Sequence, residues 1–468
     1  MKTNNAFNLL LAAATSVALP TATLAATPEV TSVAMAQSSM SRLVTITYTL
    51  ANAPAVVTLD VQTNANTSAA ASDPGWTSIG GEAVCNAQGD VWKKVAPELT
   101  EGNSFNGTIT WRPDLSWPDH KIASGGARAV VTAWALDNTP DYMVVDVSEG
   151  AQPNTQNYYP SADFVPRGVS NGLYKTTTIL MRKIMAKDVK WTMGSVSETG
   201  RTAEKEATHQ VTLTNNYYIG VYEVTQTQWE QITGYNPSRY TGEKTMRPVE
   251  NVSFTDIRQG KGTQSTAASA TGGVYPAPPY GESFLGLLRT KTGIDFDLPS
   301  EAQWEFAARA GNGEGRWGDG TEIRISNDGQ RDANLNVLGR YKFNGGKIFV
   351  NGVDYNPETT CGATNGTANV GSYKPNNWGL YDMQGNVSER CLDWYEANIG
   401  DYDGKVNISF SAPANTLSGD PGENRVARDS GWPSDAKACR PAYRGSYNPA
   451  ARSEWGNGFR VVCTAGLR

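Results

Sequence analysis

In the segment GLYDMQGNVSE, Asp382 and Glu389 place carboxylates on either side of a short glycine-containing turn. With the carbonyls of Gly385 and Val387 turned inward between them, the turn offers a hard cation such as calcium the carboxylate and backbone oxygens it prefers. The competing reading is a surface loop closed by Asx hydrogen bonds. Softer ligands are few: cysteines stand at 85, 361, 391, 439 and 463, and histidines at 120 and 209. An odd number of thiols leaves at least one free or pairs it with another molecule. His120 in WPDHK and His209 in EATHQV lie in polar stretches and read as solvated side chains.

The elements that must hold these residues fall into two regions. From Leu43 to Asn64, Val44, Ile46, Tyr48 and Leu50 alternate with threonines, and a second alternating run follows an Ala-Pro turn. Further strands are expected at 107–113, 127–136 and 142–148, so residues 28–148 read as a small β-sandwich of immunoglobulin or fibronectin type. Residues 149–173 are rich in Pro, Gly, Asn and Ser and read as a linker. Beyond 174 regular structure is sparse. Helices are expected over 223–234, 282–293 and 298–311, the last with Ser300 and Gln303 as a capping box and Trp304, Ala307 and Ala308 on its packed face. So large a region with so few elements needs bound ions, disulfides or dense aromatic packing. The class is α+β.

At the N-terminus, Lys2 precedes the apolar run FNLLLAAATSVALP, which closes in small residues near Ala25. This is the pattern of a signal peptide over 1–25, and it implies an exported protein, periplasmic, cell-surface or secreted. No later apolar stretch approaches the ~20 residues of a membrane helix. A net charge of −6 without a basic stripe gives no footing for nucleic acid.

Several segments occur in a fixed order: WTMGS (191–195), YYIGVYEVTQTQW (217–229), RPVENVSFTD (247–256), LPSEAQWEFAARAG (298–311), WGLYDMQGNVSE (378–389), DWY (393–395) and NGFRVV (457–462). Together they resemble the sulfatase-modifying-factor family, to which the formylglycine-generating enzyme belongs, over nearly all of 175–468. The resemblance implies a large C-type-lectin-like domain with little regular secondary structure over 174–468. It also implies calcium at Asp382, Gly385, Val387 and Glu389, although Ser388 and Arg390 stand where the family usually has Trp. A second calcium site is implied at Asn334 and Leu335; the acid expected there is replaced by Gly362, inside an insertion carrying Asp354 and Glu358. It further implies a disulfide between Cys391 and Cys439, with Cys463 and Cys361 as a second pair.

The resemblance fails at the catalytic centre. The formylglycine-generating enzyme holds copper with two cysteines, whose soft thiolates suit Cu(I). Here Ser434 stands near the first thiol position and Cys439 has no thiol partner nearby in sequence. Copper is therefore not expected. The three-histidine iron of related sulfoxide synthases is excluded, because His209 is alone in this region. The expected function is a non-catalytic, calcium-stabilised binding module in which Trp432, Tyr443, Tyr447 and Trp455 meet a protein, peptide or glycan. The alternative is an enzyme of the formylglycine-generating type, acting on a Cys or Ser of exported sulfatases.

Overall fold

The computed structural model describes residues 26–466 except 39, 101, 242–245, 260–277, 345–365, 398, 400–404, 407–423 and 453–455. The signal segment, Asp354, Glu358, Cys361, Gly362 and Trp455 lie outside the described residues.

The alternating N-terminal runs form strands as their periodicity dictates. β1 (Glu29–Gln37), β2 (Val44–Ala53), β7 (Asn103–Trp111) and β5 (Gln88–Gly89) make one sheet, in the order β1-β2-β7-β5. β3 (Ala55–Thr63) lies between β4 (Thr77–Ser78) and β6 (Lys94–Val95) and also pairs with β8 (Ala127–Trp134). One-turn helices α1 (Gly81–Val84) and α2 (Pro113–Ser116) join these strands. Ile46, Tyr48 and Leu50 are buried and Thr47 is exposed, so one face of β2 meets the core. Tyr48 crosses over Gly107, its partner on β7, where a Cβ would collide with the ring.

The last expected sandwich strand belongs elsewhere. β9 (Tyr142–Asp146) pairs with β10 (Asn157–Tyr159), inside the expected linker, and with β11 (Thr178–Ile184). β14 (Tyr217–Gly220) and β20 (Val462–Thr464) complete this sheet, in the order β10-β9-β11-β14-β20. The segment 149–173 is thus partly built into the second region, and one apolar cluster runs from Ile46 and Trp111 through Tyr142 and Tyr159 to Leu180 and Tyr222.

Beyond β11 two further sheets form. β12 (Lys190–Met193) is the outer strand of a three-stranded sheet with β13 (His209–Thr212) and β16 (Lys405–Val406). β15 (Ser388–Trp394), β17 (Arg425–Arg428), β18 (Arg444–Tyr447) and β19 (Asn457–Gly458) make the other, in the order β18-β17-β15-β19. Three longer helices, α3 (Gln226–Thr233), α4 (Phe284–Thr292) and α5 (Glu301–Arg309), stand where the sequence places them. Ser300 and Gln303 close the expected capping box, and Trp304, Ala307 and Ala308 are buried. Trp229 of α3 stacks on Phe284 of α4 at 4.8 Å, with Phe459 edge-on to both.

Between α5 and the β15–β17–β18 sheet runs a buried line of alternating charge. Glu206 pairs with Arg440 (2.7 Å), Arg440 with Glu198 (2.9 Å) and Glu198 with Arg309 (3.8 Å). Arg309 continues to Glu305 (2.7 Å), Glu305 to Arg428 (2.6 Å), Arg428 to Glu301 (2.7 Å) and Glu301 to Arg444 (2.5 Å). All eight side chains are buried. Such a line survives only because each charge is matched and hydrogen-bonded, and it ties the stretches 198–206, 425–428 and 440–444 to one helix.

Candidate functional site

The 382–389 turn is drawn in beside this line. Asp382, Gly385 and Asn386 all take positive φ; at Gly385 a Cβ would run into the Arg340 carbonyl. Asp382 accepts from Gly371 N through Oδ2 (2.6 Å), while its buried Oδ1 has no hydrogen-bond partner. Burial pushes its carboxyl up to about 6.

Glu389 is already engaged. Its Oε2 accepts from Trp304 Nε1 and from Arg460 Nε (both 2.7 Å), and its Oε1 from Arg460 Nη2 (2.6 Å). The backbone N–H of Val387 points to Glu223 Oε1 (3.1 Å), and Asn386 Nδ2 donates to Glu223 Oε2 (2.6 Å). Gly385 N donates to Asp429. The turn thus brings its residues together, but with Arg460 beside Glu389 and a further acid, Glu223, facing the backbone. Among the described residues no group of three or more His, Cys, Asp or Glu is spaced to hold a metal ion. Asp382, with its orphaned oxygen, fits a cation; Glu389 already accepts three hydrogen bonds, one of them on Oε1.

Glu223 was not singled out by sequence reasoning, although it sits within the motif EVTQTQW immediately before α3. It is buried, and burial with the nearby Asp382 and Glu389 pushes its carboxyl well up. Its one sequence signal is an acid amid the apolar residues Val221, Tyr222 and Val224.

At the second candidate cation position the polar groups are hydrogen-bonded within the chain. Asp332 Oδ1 accepts from Asn334 N (2.8 Å) and Leu335 N (3.1 Å), Asn334 Nδ2 donates to Glu322 O (2.8 Å), and the Leu335 carbonyl accepts from Leu338 N (3.0 Å). Asn334 and Leu335 thus sit in a 3-10 turn capped by Asp332.

The thiols correct the expected disulfide: Cys391 and Cys439 are both free and fully buried. They belong to different apolar clusters, Cys391 with Met193 and Trp304, Cys439 with Trp317 and Tyr341. Cys85 and Cys463 are also free. Burial, reinforced by Asp429, pushes the Cys439 thiol well up and keeps it protonated. Ser434, at the other thiol position, spends its hydroxyl on Ser430 O (2.8 Å). His209 is likewise corrected, being buried on β13 with Nδ1 3.0 Å from Ala207 O; His120 is exposed and stacks on Trp117 at 3.9 Å.

Of the four aromatic residues expected to meet a ligand, Trp432 is buried edge-on against Tyr240 at 5.5 Å. Tyr443 and Tyr447 are half-buried. Beside Tyr447, 5.2 Å from its ring, lies the guanidinium of Arg390. Arg390 is fully buried; Nη2 donates to Ala451 O (2.9 Å), while Nε and Nη1 have no hydrogen-bond partner, and burial lowers it to about 10.

Residues 181–465 match the family model described as the sulfatase-modifying factor enzyme 1-like domain. The chaperone protein LppX of Paenibacillus barcinonensis is 28% identical over 257 residues, 53% of this chain and 80% of that one. A formylglycine-generating enzyme of Thermomonospora curvata is 31% identical over 156 residues, 33% of this chain and 43% of the enzyme. The serine/threonine-protein kinase pkn1 of Chlamydia pneumoniae is 32% identical over 174 residues, 37% of this chain and 22% of that protein. Among solved structures, Treponema denticola variable protein 1 aligns with a TM-score of 0.42 and 24% identity, covering 61% of this chain and 95% of that chain. PvdO from Pseudomonas aeruginosa aligns at 0.43 and 21%, covering 61% and 94%.

Proposed function

The chain belongs to the sulfatase-modifying-factor family, and from that premise we propose that it is an exported, non-catalytic binding module with calcium at the 382–389 turn. The observation that carries the non-catalytic half is the state of Cys439. A thiol oxidase needs a pair of accessible thiolates to hold a soft metal. Here the position carries a buried, protonated thiol with Ser434 in place of its partner.

The binding half rests on the half-buried rings of Tyr443 and Tyr447, whose apolar faces and polar tips suit a protein, peptide or glycan. LppX, a chaperone by name, is in keeping with a role toward other proteins. Calcium is supported by charge. Glu223, Asp382 and Glu389 face Arg460 and Lys175, three carboxylates against two cations, and Asp382 Oδ1 is unpaired. Asp382 supplies its first oxygen.

The test is a copper and calcium titration of the purified protein, read by metal content and thermal unfolding, beside oxygen consumption with a cysteine-containing sulfatase peptide. Calcium is expected to raise the melting temperature of the wild type and not of Asp382→Ala. Stoichiometric Cu(I) with peptide oxidation overturns the reading in favour of a formylglycine-generating activity.

A further inference from the structure

A cleft of about 590 Å³ opens between β12 and the C-terminal end of α5. Its walls are aromatic: Phe306 lies 5.3 Å from Trp191 and 5.2 Å from Trp378. Met185 and Val189, both exposed, stand at its rim, 56% and 39% accessible. Trp191 and Arg309 are among its lining residues.

Three observations select the occupant. The charge of Arg309 is already balanced, with Glu305 at 2.7 Å and Glu198 at 3.8 Å, so it offers no spare positive charge to an anionic ligand. Glu314, the acid of the cleft, spends Oε1 on Ser195 Oγ and the N–H groups of Val196 and Ser197. And β12, which supplies Trp191 and Thr192 to the cleft, is the outer strand of its sheet, paired with β13 on one side only among the described residues. An outer strand presents a row of backbone groups to an added strand, and aliphatic rim residues suit a side chain better than a sugar ring.

We propose that this cleft receives an extended, uncharged peptide segment of another protein, which adds along the free edge of β12 and buries one bulky apolar side chain among Trp191, Phe306 and Trp378. The site shares no residue with the Arg390–Tyr447 region and stands or falls independently of it.

The experiment is calorimetric titration of the full chain with an acetylated, amidated Ser-Thr-Val-Leu-Val-Thr-Ser peptide. Two analogues run beside it, one with the central Leu replaced by Ser and one N-methylated at alternate amides, with cellotriose as the sugar arm. The parent peptide is expected to saturate one site below about 1 mM, and both analogues to bind at least about tenfold more weakly, as losing one buried Leu predicts. Trp378→Ala and the rim variant Met185→Glu, whose side chain is exposed and need not disturb folding, are expected to weaken it similarly, while Tyr447→Ala leaves it unchanged. Saturable binding of cellotriose in place of the peptide overturns the proposal. So does absence of parent-peptide binding at that concentration, or binding indifferent to N-methylation and to both cleft variants.

Discussion

Glu301 carries two arginines at once. Burial alone would raise its carboxyl, but Arg444 and Arg428 outweigh burial and hold it at about 2. A carboxyl depressed from its usual 4.5 contributes stability that is complete above that value and is lost as pH falls toward 2. Glu301→Gln is therefore expected to cost about 3–5 kcal/mol at pH 7, because it leaves the buried Arg444 without an acid and takes one of two acids from Arg428. Its urea midpoint should also vary less between pH 4.5 and 2 than that of the wild type. The thiols give a second residue-scale expectation. A disulfide lost to reduction would cost about 2–5 kcal/mol; with all four described cysteines free, dithiothreitol is expected to leave the melting temperature unchanged, and Cys391 and Cys439 to react with a thiol reagent only after unfolding. Little of this was legible beforehand. Glu301 and Arg428 are 127 positions apart, and no local pattern tells a buried arginine from a solvated one. The pairing of Cys391 with Cys439 came from the likeness to relatives, whereas each thiol here is packed into its own apolar cluster.

At the scale of elements, periodicity and punctuation sufficed where a segment answers to its own neighbours. α5 carries both of its capping partners and its apolar face within one short stretch, so the helix could be read directly, and Ser300→Ala is expected to cost about 1 kcal/mol in chemical denaturation. Trp304→Ala should cost about 3–5 kcal/mol, because it empties a fully buried site and removes the donor to Glu389 Oε2. β1 escaped notice because its residues are mostly exposed at the edge of the sandwich, which leaves no alternation to read. β9 shows the other failure. Alternation identified it as a strand but could not name its neighbours, and those are β10 and β11 instead of the sandwich strands that precede it.

For the molecule as a whole, that pairing removes any clean seam between the two regions. Met143 and Val145 of β9 are buried in the apolar cluster of α3 and α4, while Tyr159, Leu180 and Tyr222 help to fill the cluster of the sandwich. A fragment starting at residue 174 loses β10 and β9, the two strands at one edge of a five-stranded sheet. It is expected to aggregate, whereas the intact chain unfolds in one transition; calorimetry and light scattering of the two preparations check this. The buried charges have a consequence of another kind. Glu206, Arg440, Glu198, Arg309, Glu305, Arg428, Glu301 and Arg444 form a line with strict parity. Losing one interior member sets two like charges toward the same gap, whereas losing two adjacent members closes the line with its alternation intact. Descent with modification should therefore shorten or lengthen it by couples, so that across relatives each acid appears and disappears together with the arginine beside it.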